Sequence, residues 1–167
     1  MATESYTDAI ALLKADHRKV EELFEKFESA RSGSKQALAE QICNELKIHA
    51  TIEEELFYPA LKGKIEEETL NEAYVEHDGA KVLINDITAG GPDDAFYDAK
   101  VKVLSEEIKH HVKEEEMPEE GMFAQARDAG VDLVALRDRM LARKQELTRQ
   151  AEAQGLPPAE LKVVAIA

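Results

Sequence analysis

Four histidines and two glutamates form a doubled pattern in this chain. His17 is followed by His49 with Glu53; His77 and then His111 with Glu115 repeat the set, 60 residues on at the lone histidine and 62 at the pair. A His and a Glu four apart lie on one face of a helix, one turn from each other. Neutral imidazole offers nitrogen donors that suit Fe, Zn, Cu or Mn, and a carboxylate can bridge two ions. Gathered in a dry core, these six side chains make a transition-metal site. Two ions are the natural count, with His17 and His49 on one, His77 and His111 on the other, and Glu53 and Glu115 spanning both. Each ion then lacks a full set of six ligands and keeps positions open for water, hydroxide or a diatomic gas.

The surrounding stripes place these groups indoors. Along residues 42–60, Ile42, Leu46, His49, Glu53, Leu56 and Ala60 recur at alternating steps of four and three, the spacing of a bundle seam. A first helix over about 9–30, capped by Thr7 or Asp8, carries Ile10, Leu13, His17, Val20, Phe24 and Phe27 on its seam. A second spans about 35–61, where Pro59 should kink or stop it. A third, over about 66–89, presents Leu70, Ala73, His77, Ala80, Ile84 and Ile87. A fourth, over about 94–116, presents Tyr97, Val101, Leu104, Ile108, His111 and Glu115. Turns at Arg31–Ser34, at Gly63 and at Gly90-Gly91-Pro92-Asp93 separate them, the last supplying an N-cap.

Residues in an antiparallel hairpin are level when equidistant from the turn. The midpoints of 17 and 49, of 49 and 77, and of 77 and 111 are 33, 63 and 94, the first two inside these turns and the third at Asp94, which extends the Gly-Gly-Pro-Asp turn by one residue. All four histidines therefore share one layer of an all-α, up-down-up-down antiparallel four-helix bundle, and Glu53 and Glu115 join it from alternate helices.

After Pro118 an offset helical piece runs to Arg127. An additional C-terminal helix over about 132–150 then turns Leu133, Leu136, Met140 and Leu147 inward. The domain reading is a helical bundle over 1–153, with the metal-site core at about 8–127, and a tail over 154–167 that is either docked or loose. No stretch alternates as a strand does.

Composition narrows the classes of function. Among 167 residues, 44% are hydrophobic and 34% charged, a globular balance with enough chain for one core. A net charge of −14 opposes nucleic acid and anionic membrane as partners, since nothing concentrates Lys and Arg against phosphate. No run approaches the roughly 18 apolar residues of a membrane span. MATESYTDAI has no basic stretch leading into an apolar one, so no secretory leader is expected and the chain reads as cytoplasmic. Cys43 is the one cysteine, which excludes an internal disulfide and a cysteine zinc cluster.

The remaining candidates are assigned by register. His110 shares a mostly polar stripe with Val103, Glu107 and Glu114, so the ligand pair is His111/Glu115, not His110/Glu114. Glu54, Glu55, Glu114 and Glu116 read as solvated face, Tyr74 as core packing with a hydroxyl partner, and Cys43 as a packed thiol.

AxDHxxV at His17, HxxxEEExFxP from His49, the EHD around His77 and HHVKEEE at His111 and Glu115 together resemble the hemerythrin family, specifically bacterial HHE cation-binding domains, over about residues 8–127. The resemblance implies a non-haem centre of two Fe ions, oxo- or hydroxo-bridged, ahead of Zn or Mn. His17, His49, His77 and His111 would be terminal ligands, with Glu53 and Glu115 bridging. The family's respiratory oxygen carriers place a second His four residues after the third-helix one, where this chain has Lys81. They also use an Asp five residues after the fourth-helix His, where this chain has Glu115 four after. These differences favour the variants that resemble sensors or redox proteins over reversible oxygen carriers.

The leading functional expectation is a diiron protein that binds or senses O2, NO, or iron or redox state without turnover. Its small partner would be O2, another diatomic or a peroxide, with no nucleic acid and no membrane; homo-oligomerisation stays open. A diiron oxidase, peroxidase or NO-reducing enzyme ranks second and would need proton donors near the site. A structural metal bundle or helical interaction module ranks third, because closed zinc sites prefer four tetrahedral ligands.

Overall fold

The structure is a computed structural model that describes residues 5–166. Among the described residues all regular structure is helical. Helix α1 spans Ala9–Ser29, and Asp8 caps it by accepting the Ala11 N–H at 2.8 Å. Helix α2 spans Ser32–Ile52, starting three residues before the expected position. A π-helical turn, Glu53–Phe57, joins it to α3, Tyr58–Leu61.

That turn changes the register of the seam. The Tyr58 N–H reaches back five residues to the Glu53 carbonyl, inserting one residue into the helical repeat. Beyond Glu53 the buried side chains are consequently Phe57, Tyr58 and Leu61, while the expected Leu56 and Ala60 are only half-buried. Pro59, which has no N–H to give, sits in the first turn of α3, and the chain stays helical until Leu61.

Helix α4 spans Glu67–Gly90 and stops at Gly91, whose φ of 66° lies in the left-handed region that glycine adopts without strain. Helix α5 spans Tyr97–Glu116, three residues later than expected. Asp94 is taken up by the preceding turn, where its side chain accepts the Phe96 N–H at 2.9 Å. Helix α6, Met122–Asp128, follows a tight reversal at Gly121, where an added Cβ would run into the Met117 backbone. Helix α7 spans Leu133–Gln154, ending four residues later than expected; Asp132 caps it through the Ala135 N–H at 3.0 Å.

Helices α1, α2, α4 and α5 close a ring, α1 packing on α2 and α5 and α4 on the same two. Helix α7 lies outside, against α1, α2 and the π turn. The core has two parts. One is built from Leu12, Leu13, Ile52, Phe57, Leu61, Phe123 and Met140 among others, the second from Phe24, Phe27, Ile42, Ile84, Val101 and Leu104. Each fully buried aliphatic or aromatic side chain contributes roughly 1.5–3 kcal/mol. Between the two apolar masses lies a polar layer that contains the histidines.

Candidate metal centre

The six predicted residues meet in that layer. His17 comes from α1, His49 from the end of α2, Glu53 from the start of the π turn, His77 from α4, and His111 and Glu115 from α5. All are buried, Glu53 completely. The His17 and His49 rings lie 4.9 Å apart between centroids, and those of His77 and His111 4.8 Å apart.

The carboxylates join these two pairs. Glu53 Oε1 lies 2.9 Å from His49 Nε2 and 3.3 Å from His77 Nε2. Glu115 Oε1 lies 3.3 Å from His17 Nε2 and 3.3 Å from His111 Nε2. Each glutamate thus faces one histidine of each pair. These approaches lack hydrogen-bond alignment in part: His17 Nε2, His49 Nε2, both Glu53 oxygens and Glu115 Oε1 are buried with no hydrogen-bond partner. Leaving such atoms unsatisfied costs about 1–3 kcal/mol apiece, more when charged. The orphans converge, and a cation is what nitrogen lone pairs and carboxylate oxygens can share. Two buried triplets have ligand atoms close enough to hold an ion, His17–His49–Glu115 and Glu53–His77–His111. The donor set fits transition metals.

The outward nitrogens are equally specified. Each Nδ1 meets a carboxylate: His17 with Glu116 at 2.6 Å, His49 with Asp16 at 3.0 Å, His77 with Glu54 at 2.7 Å and His111 with Glu76 at 2.9 Å. Such partners fix the ring and leave Nε2 as the donor toward the centre. The arrangement repeats the internal duplication. The acid before the first-helix histidine (Asp16, Glu76) holds the second-helix histidine of its own hairpin. The acid after the second-helix glutamate (Glu54, Glu116) holds the first-helix histidine of the other hairpin. Glu54 and Glu116 are therefore not the solvated face expected of them, whereas Glu55 and Glu114 are paired at the surface. The signal is present in the sequence as an acid before His17 and His77 and after Glu53 and Glu115, the same pattern written twice.

Electrostatics follow from this packing. Burial opposes charging His49, but Glu53 and Asp16 outweigh it and raise its pKa to about 10. Burial is likewise outweighed at His17 by Glu115 and Glu116, at His77 by Glu53 and Glu54, and at His111 by Glu115 and Glu76, so all three are raised. Glu115, despite its burial, is held well below the usual carboxylate range by His111 and His17. With no cation between them, the carboxylates favour the protonated form of each imidazole.

Besides Asp16 and Glu76, sequence periodicity misses Tyr58. Tyr58 is fully buried, with its hydroxyl 3.1 Å from His77 Nε2, 3.5 Å from His111 Nε2 and 3.3 Å from Glu115 Oε2. Burial, then the charges of Glu115 and Glu53, push the phenol pKa well above its usual value. Its counterpart on the other half is apolar: Phe123 stacks on His17 with ring centroids 5.9 Å apart. Tyr74 packs edge-on against Tyr58 at 5.2 Å, in keeping with a packing role. His110 is exposed, near Glu76 and Glu114, and lies outside the centre. Cys43 is a buried thiol. Lys81, at the position where oxygen carriers have a histidine, points its amine away to Glu54 at 2.8 Å. No described helix is long and apolar enough to cross a membrane.

Comparison with known proteins agrees with the fold and with a cation site. A hemerythrin HHE cation-binding domain protein from Mycobacterium kansasii superposes with a TM-score of 0.71, covering 90% of this chain and 95% of that one at 22% identity, a likeness of fold. A DNA nickase of Nostoc sp. is 31% identical over 106 residues, 63% of this chain and 30% of the relative's length. The sequence pattern of the hemerythrin HHE cation binding domain matches residues 8–126. The chain belongs to the hemerythrin HHE cation-binding domain family.

Proposed function

We propose that this protein holds two iron ions and uses them to bind or sense O2, NO, or iron or redox state. His17 and His49 hold one ion, His77 and His111 the other, and Glu53 and Glu115 span them. The reading rests above all on the placement of the two carboxylates, each facing one histidine of each pair. Iron in this layer supplies one-electron chemistry and open positions for a small ligand. The chain's own residues orient the Nε2 donors through their Nδ1 partners, hold them between two apolar layers, and balance charge with the two glutamates.

Tyr58 supports a second reading, an oxidase, peroxidase or NO-reducing enzyme. Such turnover needs a proton source, and the Tyr58 hydroxyl retains its proton at neutral pH beside Glu115. The nickase activity of the Nostoc relative is that protein's. A net charge of −14 on this chain speaks against gripping a phosphate backbone unaided.

The test is visible absorption of protein loaded anaerobically with Fe(II), then exposed to air and returned to argon. A colour that appears and fades marks reversible binding. An irreversible ferric spectrum without consumption of peroxide or O2 marks a sensor, and sustained consumption marks an enzyme.

A further inference from the structure

A cavity of about 370 Å³ opens beside the four histidines, on the side away from Tyr58, among Val20, Leu46, Ala80, Ile84 and Val112. It also reaches Glu55, Glu107 and Arg143 at the surface, and since an engineered cavity of about 150 Å³ already admits benzene, it has room for an organic molecule as well as a diatomic. Its far end runs beneath the segment after α7, where Leu156, Pro157, Ala159 and Glu160 line it.

That segment is tied down along its length. Gly155 ends α7 with φ 79° and turns the chain back over α2 and α4. Lys47 Nζ donates to the Pro157 carbonyl at 3.2 Å, and Lys81 Nζ to the Glu160 carbonyl at 2.9 Å. Asn85 grips Ala159 twice, donating to its carbonyl at 2.9 Å and accepting its N–H at 2.8 Å. Asp78, fully buried, accepts the backbone N–H groups of Lys162, Val163 and Val164 at 2.7–3.0 Å. Lys47 and Lys81 are buried lysines because this chain covers them.

We propose that residues 156–162 form a strap that roofs the way to the metal centre and sets which solutes reach it: small ones pass with the strap in place, larger ones only when it lifts. Two features support this. The strap is held by hydrogen bonds to its backbone, with few deep apolar anchors, so it can release without unfolding the bundle. It is also continuous with the centre, since Lys81 joins the Glu160 carbonyl to Glu54, the carboxylate on His77 Nδ1. The proposal rests on the metal-centre reading for its purpose, yet its test does not need the metal.

The experiment labels a thiol placed in the cavity, Ala80→Cys in a Cys43→Ala background, on the full chain with and without added iron. A small alkylating reagent (iodoacetamide) is compared with a bulky dye maleimide. With the strap intact the small reagent reacts and the bulky one does not. Asn85→Ala, whose contacts touch no histidine or glutamate of the centre, should raise the bulky reagent's rate by about tenfold or more, given two lost hydrogen bonds. Hydrogen exchange at the Lys162 and Val163 amides, which Asp78 holds and Asn85→Ala leaves with their acceptor, reports release of the strap; if Asn85→Ala leaves it seated or does not fold, Lys47→Ala is used in its place. Faster amide exchange with an unchanged bulky rate, or free bulky labelling of the intact protein, overturns the proposal. A failure to bind iron with the labelling result intact would count against the metal reading and leave the strap standing.

Discussion

Glu53 Oε1 lies 3.3 Å from His77 Nε2 although the two residues sit on different helices, and the same oxygen is 2.9 Å from His49 one turn back on its own. A buried carboxylate shared between two imidazoles from separate pairs is a poor arrangement for packing and a good one for two cations. The first prediction follows. Glu53→Ala should lose most bound iron, and the loss should be larger than for Glu55→Ala, which removes only a surface pair with Arg143. Iron counted by emission spectrometry checks it.

The outward carboxylates should tune affinity without being indispensable. Glu76→Gln removes the charge on His111 Nδ1, and Asp16→Asn does so at His49. Each should weaken metal binding about 10–100-fold, measured by competition with a chelator, while leaving the iron count at saturation unchanged. His110→Ala should leave both count and affinity alone; His111→Ala should not.

Tyr58→Phe keeps the ring and deletes the hydroxyl. Iron should still load, because the six proposed ligands remain. The ferric visible spectrum should shift and any consumption of peroxide should fall, since the proton held beside Glu115 is gone. An unaltered spectrum and undiminished turnover would remove Tyr58 from the chemistry.

Protonation makes iron loading and stability depend on pH in opposite senses. In the metal-free protein the raised His49 contributes stability that is fully present below pH 6.5 and is lost as pH rises through about 10; the other three histidines act in the same direction. Glu115, Glu54 and Asp16 are lowered, so their contribution is present above the ordinary carboxylate range and fades as acid titrates them. Metal-free protein should therefore melt highest between about pH 4.5 and 6.5. Iron needs neutral imidazole, so loading must release protons, and the gap in melting temperature between loaded and metal-free protein should widen from about pH 6 to about pH 8. Calorimetric titration in buffers of different ionisation enthalpy measures the protons released.

Much of this was legible in the chain. The midpoint arithmetic placed His17, His49, His77 and His111 at one level, and the seam separated His111 from His110, because both depend only on helical periodicity and turn position. Tyr58 escaped for a physical reason: five residues beyond Glu53, an α-helix would carry it off the seam, and only the π turn rotates it inward. The same insertion turned Leu56 and Ala60 partly outward. Periodicity puts Glu54 and Glu116 toward solvent because it assigns faces, whereas a histidine reaching from a neighbouring helix decides what an acid at the edge of a face does. The strap was unreadable because it has no repeat; Asp78 and Asn85 hold its backbone, whose N–H and C=O groups every sequence carries.

The most direct measurement is the iron content per chain of native protein and of Glu53→Ala after anaerobic loading and removal of loose metal. Two irons per native chain, falling to about one or none in the variant, are what a carboxylate-spanned pair requires. One iron or none in the native protein, or two retained without Glu53, would contradict it.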